Sequence, residues 1–461
     1  MATTLTPVRT RIAPSPTGED IHIGNLYTAL INYITAKKNN GEFIIRIEDT
    51  DRTRFVQGAT EKILSTLTQY GILYNEGPEI GGDYGPYVQS ERLELYKKYA
   101  LELIEKKKAY YCFCTKEHLE ELKKSESTKR HWDVCVEKNN NSLISTGEPF
   151  VIRLLVPQNT NIIFNDLIRG EISINSDQFD DQVLLKSDGY PTYHLAVVID
   201  DYLMKISHII RAEEWISSTP KHVLLYQAFG WDLPIFVHVP ILRNPDKSKL
   251  SKRKNPVWAS WYLEEGYLPE AVLNYLALMG WGHPEGKEIF TLEELITVFD
   301  LKDIQVVGPV FDIAKLTWMN QQYIQNLSEE ELMTKLLAFY SKKTLDTGLL
   351  TKLLPLLKTR MQTLKEFDEL TPFFFTDPQY ELRSDEEKEI ARELATALSD
   401  IKEWNHGTLL EIMKVILAKY SIRMPVLYYI LTGKEKGLPL PDSLEILGKS
   451  QTLKRLQQII Q

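Results

Sequence analysis

At 461 residues the chain is too long for one core of ordinary size, so roughly two to four domains are expected. Hydrophobic residues at 43% and charged ones at 25% describe a soluble globular protein, and a formal charge of −9 leaves any nucleic acid to be met by a local basic surface. There is no run of about 18 uncharged apolar residues, the N-terminus lacks the basic-then-apolar order of a secretory leader, and three cysteines argue against a disulfide framework, so a cytoplasmic protein that does not enter a membrane is expected.

Residues 6–13 read as a short strand entering a loop at Pro14. The stretch Arg11-Ile-Ala-Pro-Ser-Pro-Thr-Gly18-Glu-Asp-Ile-His22-Ile-Gly24-Asn25 joins that strand to a helix with apolar residues at Leu26, Ala29, Leu30, Tyr33 and Ile34. A helix start carries unpaired backbone N–H groups and the positive end of a dipole, which suits phosphate. His22 can donate to a phosphate oxygen, and Gly24 lets a flat ring approach the backbone. Taken alone, the stretch also fits an ordinary strand-to-helix turn.

Residues 43–51 read as a buried parallel strand ending in carboxylates, at the end where open α/β sheets bind ligands. Helical patterns follow at 57–70 and 90–108, separated by a Gly/Pro-rich loop at 71–85. From Tyr110 to about Tyr193 the texture changes. A Cys-x-Cys segment, a charged helical stretch at 116–129 and β-like runs at 150–156, 162–168, 171–174 and 181–186 read as an insertion. Parallel-sheet features resume at 193–201 and 206–211, followed by a helix at 219–229, a strand around 235–239 and a basic loop at 244–254. Residues 257–325 alternate helices with Gly/Pro turns. Beyond Ser328 the pattern is helical throughout, at 329–340, 349–367, 385–398, 408–421 and 450–461, and reads as a separate all-α region.

In the basic loop, Lys249 and Lys252 bracket Ser251. Mobile cations on a polar loop can close over charge that develops only in a transition state, as on a leaving pyrophosphate. Cys112, Cys114, His131 and Cys135 supply four N/S ligands in two short clusters, a set that suits tetrahedral zinc. The alternative is three reduced thiols and an exposed histidine.

Together these residues resemble the glutamyl-tRNA synthetases, class I aminoacyl-tRNA synthetases of bacterial type. His22-Ile-Gly-Asn25 and Lys249-Leu-Ser-Lys-Arg253 are similar to the two signature sequences of the class. Arg11-Ile-Ala-Pro-Ser-Pro-Thr-Gly18, Arg46-Ile-Glu-Asp-Thr-Asp51, Asp188-Gly-Tyr-Pro-Thr-Tyr-His-Leu-Ala196 and Ile210-Arg-Ala-Glu-Glu-Trp-Ile-Ser-Ser-Thr-Pro-Lys-His222 resemble further family segments, in the family's order. The likeness is good over 9–330 and weak beyond.

The resemblance implies an α/β Rossmann-type catalytic domain split between 1–88 and 194–245. An inserted α+β acceptor-binding domain would occupy 89–193, a helical stem-contact region 246–327, and an all-α anticodon-binding domain 328–461. It implies activation of glutamate by ATP with Mg²⁺, then transfer to the 3′ end of tRNA-Glu, by a monomer. Arg11, Ala13, Ser15, Glu48, Tyr193 and Arg211 would contact glutamate. His22, Gly24, Asn25, Glu214, Trp215, Lys249, Ser251 and Lys252 would contact ATP, with His22, Lys249 and Lys252 acting in catalysis. The chemistry agrees: arginine's planar fork matches a carboxylate, and Glu48 suits an ammonium. A structural Arg–Glu ion pair is the plainer alternative.

Two departures stand out. Val197 replaces an asparagine found in many relatives. Three residues, Glu19, Asp20 and Ile21, stand where relatives usually have two, and the added residue is expected to loop outward. A queuosine-modifying paralogue would lack the region after Ser328, and a non-catalytic RNA-binding homologue would be expected to lose His22 or Lys252.

Overall fold

The computed structural model describes residues 7–115, 117, 120, 147–251, 256–378 and 384–460. The chain divides into two compact units, one of 1–261 with 273–312, the other of 262–272 with 313–461.

The first unit starts as a β-α-β crossover. Strand β1 (Arg9–Ile12) and β2 (Glu42–Ile45) pair in parallel, with Arg11 opposite Ile44. Between them runs α1 (Ile23–Lys38), buried from Leu26 to Ala36. A helix apolar on nearly all sides belongs inside a core rather than on a surface. Within α1, Asn32 Nδ2 donates to the Thr28 carbonyl at 2.9 Å and to the Ile210 carbonyl at 3.1 Å. After β2 come α2 (Ala59–Gln69) and α3 (Leu93–Glu105).

The inserted strands split between two sheets. β3 (Ala109–Cys112), β4 (Val151–Leu154) and β7 (Val183–Leu185) form an antiparallel sheet of their own. The hairpin β5 (Asn161–Asp166) and β6 (Gly170–Asn175) instead joins the nucleotide-type sheet in the order β6-β5-β9-β8. There Asp166 pairs in parallel with Phe236 of β9 (Ile235–Val239), and β9 runs parallel to β8 (His208–Ala212). Ser207, just before β8, donates its N–H to the Arg9 carbonyl at 3.0 Å, which ties β8 to the flank of β1.

One element differs from the sequence reading. Residues 193–201 are not a returning strand; they lie in a helix, α4 (Tyr193–Leu203). The run from Leu195 to Ile199 is wholly buried. A short all-apolar run with β-branched residues carries no periodicity that separates a core strand from a core helix. Packing against α3 and α5 (Thr219–Phe229) decides it.

The second unit is helical among its described residues and has two cores. One gathers Leu268, Ile324, Leu332, Leu336, Leu353 and Leu357; the other gathers Ile390, Leu394, Met413, Leu427, Leu444 and Leu456. Helix Glu329–Phe339 opens with a capping box, in which Ser328 and Glu331 satisfy each other's backbone N–H groups. The helices Met424–Thr432 and Leu440–Leu447 were not read from the sequence; each is short and begins beside a proline. Among the described residues no single helix is long and apolar enough to cross a membrane. Leu394 is fully buried. Leu394→Ala should cost about 2–5 kcal/mol through lost burial and a residual cavity, read as a lower urea midpoint of the helical circular-dichroism signal.

Candidate active site

The C-terminal ends of β1, β2 and β8 open into a cleft of about 870 Å³. Arg11, Ala13, Ser15, His22, Gly24, Asn25, Glu48, Tyr193, Arg211, Glu214, Trp215 and Lys249 all line it. So does Val197, 2% exposed, whose side chain has no polar atom to offer a ligand. Ser251 is exposed and outside the lining, and Lys252 lies outside the described residues.

His22 is the N-cap of α1, and its Nδ1 accepts the Gly24 N–H at 3.0 Å. In the neutral ring that leaves the proton on Nε2. The turn before it is held from two sides. Asp20 is buried and accepts the Thr66 hydroxyl at 2.9 Å and the Ser260 N–H at 3.0 Å. Ile21 is 1% exposed, and its carbonyl accepts the Ala259 N–H at 2.9 Å. The extra residue therefore does not make an outward loop of the turn: Asp20 and Ile21 point inward, and Glu19 alone is exposed. Gly18 lies so close to Trp258 that an added Cβ would sit 2.6 Å from the indole, so only glycine fits there.

Behind the cleft lies a buried charge cluster. Asp201, in the last turn of α4, takes Arg11 as a fork, with Nε at 3.0 Å and Nη2 at 3.1 Å. Arg46 is fully buried and reaches Asp201 at 2.8 Å and Glu48 at 3.0 Å, with Asp200 at 3.6 Å. Asp200 also takes Arg92 and the Tyr96 hydroxyl, each at 2.8 Å. Burial alone would raise the Asp201 carboxyl, but Arg11 and Arg46 outweigh it and hold its pKa below the ordinary value. At Glu48 burial wins over Arg46 and pushes the pKa up. Arg11, Arg46 and Arg92 thus face Glu48, Asp200 and Asp201, three cations against three anions.

Arg211 stands outside that balance. Among the described residues no carboxylate pairs with it. Its Nε donates to His238 Nε2 at 3.1 Å, Nη2 to Thr219 Oγ1 at 2.8 Å, and Nη1 to His222 Nδ1 at 3.1 Å. Nη1 also donates to the hydroxyl oxygen of Tyr193, whose ring lies 4.5 Å from that of Trp215, at 3.4 Å. Arg211 is 5% exposed, and burial lowers its pKa.

On the opposite rim, Lys249 Nζ pairs with Glu214 at 2.5 Å, both half exposed. The loop carrying it is a tight turn in which Asn244 N–H donates to the Ser248 carbonyl at 2.8 Å and Leu250 N–H to the Leu242 carbonyl at 3.1 Å. Farther off, Cys112 is buried and packs in one small cluster with Cys114. His131 and Cys135 lie outside the described residues. Among the described residues no group of three or more His, Cys, Asp or Glu is placed to hold a metal.

A family model described as the catalytic domain of class I tRNA synthetases (E and Q) matches residues 7–318, and one for an anticodon binding domain matches 327–460. The glutamate–tRNA ligase of Thermus thermophilus is 45% identical, over 98% of this chain and 100% of its own length. The chain belongs to the glutamate–tRNA ligase family. Another member, from Fusobacterium nucleatum, is 42% identical over 98% of this chain and 97% of its own. The fold is similar to that of a glutamate tRNA ligase from Elizabethkingia meningosepticum solved in complex with its amino acid. The TM-score is 0.84 at 36% identity, with 99% of each chain covered.

Within the family's catalytic unit, sequence reasoning missed Arg46, Asp200, Asp201, His222, His238 and Thr219. Arg46, Thr219 and His222 stand inside quoted segments, but nothing local marks them, or Asp200 and Asp201, as partners of residues up to 190 positions away.

Three histidines, His222 and His238 buried and His194 half-buried, give a pH prediction. Burial first, then Lys221 and Arg211, push His194 down to about 3 from its ordinary 6.5. Burial first, then Arg211, holds His222 far below that value, and burial pushes His238 down to about 4 against the pull of Asp166. The unfolded chain takes up these protons first as pH falls. Their contribution to stability is therefore complete above about pH 6.5 and is lost progressively toward pH 3–4. Glu48, raised by burial, works in the opposite sense in the carboxylate range. Urea midpoints should fall between pH 7 and 5, and His194→Gln should flatten that slope; an unchanged slope would count against these assignments.

Proposed function

We propose that this chain activates glutamate with ATP and transfers it to the 3′ end of tRNA-Glu. One observation supports the reading: among the described residues Arg211 pairs with no carboxylate, and it lines the same cleft as Arg11 and Glu48. Free glutamate brings two carboxylates and one ammonium, a net charge of −1, which the spare guanidinium offsets. Arg11 and Arg211 take the carboxylates and Glu48 takes the ammonium. Arg11 keeps Nη1 for this role, since Asp201 binds its Nε and Nη2 and Nη1 meets only the Ile210 carbonyl at 3.4 Å. Its fixed charge helps to reject glutamine, whose amide would leave the guanidinium unpaired.

In the first step a glutamate α-carboxylate oxygen attacks the α-phosphorus of ATP. The bond to the β-phosphate side breaks, giving glutamyl-adenylate and pyrophosphate. In the second, a ribose hydroxyl of the terminal adenosine attacks the mixed-anhydride carbonyl and AMP leaves. No side chain need become covalently attached. His22, its Nδ1 fixed by Gly24, offers Nε2–H, and the start of α1 offers backbone N–H groups to phosphate oxygens. Lys249 and Lys252 close over the leaving pyrophosphate, which for Lys249 means exchanging Glu214 for phosphate. Gly24, Asn25, Glu214, Trp215 and Ser251 complete the nucleotide side. Mg²⁺ bound with ATP neutralises phosphate charge.

In this reading the insertion meets the acceptor end, the region 246–327 the stem, and 328–461 the anticodon, in a cytoplasmic monomer. Cys112 and Cys114, which pack in one cluster, are the described half of a candidate zinc set whose other two residues, His131 and Cys135, lie outside the described residues. Metal analysis of the purified protein should find one zinc per chain; none would remove zinc from the reading.

Pyrophosphate release from ATP and glutamate, measured with and without tRNA-Glu, tests the function as a whole. Glutamyl-tRNA-Glu is the expected product, and no ATP turnover under either condition would overturn the proposal. His22→Ala should lower the activation rate by about a hundredfold, the usual scale for one transition-state donor. Arg211→Gln should raise the glutamate KM by about ten- to a hundredfold while the ATP KM stays within about threefold.

A further inference from the structure

Arg211 is held by an unusual set of partners. Within the fold a buried arginine most simply meets a carboxylate, as Arg11 and Arg46 do at Asp201. Arg211 meets two imidazoles and a hydroxyl, all buried and all neutral acceptors: His222 is 1% exposed, His238 and Thr219 are fully buried.

Because a guanidinium cannot accept a hydrogen bond, it dictates the proton positions of everything around it. His222 must accept at Nδ1, so its proton is on Nε2 and is donated to His194 Nδ1 at 2.9 Å. His194 in turn carries its proton on Nε2. His238 must accept at Nε2, so its proton is on Nδ1 and goes to Asp166 Oδ2 at 2.7 Å. Asp166 Oδ2 also takes the His238 backbone N–H at 2.9 Å, while Oδ1 takes the Ile168 and Arg169 N–H groups, both at 3.1 Å. The carboxylate is thus one residue removed from Arg211. It orients the imidazole without cancelling the guanidinium charge.

We propose that His222 and His238, the latter aimed by Asp166, are positioning residues of the amino-acid site. They solvate and orient Arg211 while leaving its charge for the substrate carboxylate. This rests on the assignment of Arg211 as a carboxylate receptor. A carboxylate in either imidazole's place would hold Arg211 as firmly, but it would compete with the substrate for the same charge. Asp166 lies on β5 of the insertion, so the inserted hairpin helps to shape the glutamate pocket directly rather than only adding a surface beside it.

The test compares substitutions that keep or break the acceptor and its neutrality. Asparagine places an amide oxygen where Nδ1 of His222 lies; glutamine does the same for Nε2 of His238. In glutamate-dependent ATP–pyrophosphate exchange with tRNA-Glu present, H222N and H238Q should keep the glutamate KM within about threefold. H222D should raise it by at least about tenfold, and none of the three should move the ATP KM by more than about threefold. H222N and H222D are both polar and nearly equal in size, so a general packing defect would affect them alike and would lower kcat and thermal stability together. Equal glutamate KM values for H222N and H222D would overturn the proposal, as would parallel rises in both KM values. Arg211→Gln is run beside them. If it leaves the glutamate KM unchanged, the receptor assignment itself fails; if it raises KM while H222D does not, only the positioning role fails.

Discussion

The catalytic unit depends on the pairing of Asp201 with Arg11 and Arg46. All three side chains are buried, and removing charges from water costs several kcal/mol each before any attraction returns it. Such a cluster is stable only when its members are held by hydrogen bonds in good geometry, and most are: a fork onto Arg11, a 2.8 Å contact to Arg46, and Arg46 shared onward with Glu48, while Arg46 Nε lies 3.6 Å from Asp200. Asp201 also stands in the last turn of a helix, where the dipole disfavours a negative charge. The arginines offset that too. The return for this arrangement is placement. Arg11 ends β1, Glu48 follows β2, and both are locked to one aspartate on α4.

Much of the site was legible because parallel strands put their functional residues at their C-terminal ends. Arg11, Glu48 and Arg211 were each placed there from short apolar runs, and the structure brings them to one cleft. The turn at His22 was legible in type but not in register. Counting residues suggests a bulge outward, whereas Asp20 finds a hydroxyl and a backbone N–H to bond and turns inward. The helix Tyr193–Leu203 was misread as a strand, since Val197, Val198 and Ile199 are β-branched and buried on every side. The supports of Arg211 were illegible for a different reason. A histidine in a sequence shows neither its tautomer nor its partner, and here both are set by an arginine that the chain brings in from elsewhere.

The insertion shows the same limit at the level of topology. Its β-like runs were visible, but their pairing was not. One hairpin leaves the inserted segment's own sheet and adds to β9, because Asp166 is bonded there to both the backbone and the ring of His238. With it act the Leu167 N–H on the Phe236 carbonyl at 2.9 Å and Arg169 Nε on the His238 carbonyl at 2.9 Å, none of which the sequence displays.

The bond between Arg11 and Asp201 spans 190 residues. A ribosome adding 5–20 residues per second takes on the order of ten to forty seconds to cover that interval. For most of it, β1 and α1 have been made while the carboxylate that fixes Arg11 has not. The amino-acid pocket is therefore absent from every nascent chain that stops short of α4. The site's most N-terminal arginine thus waits for a partner made 190 residues later.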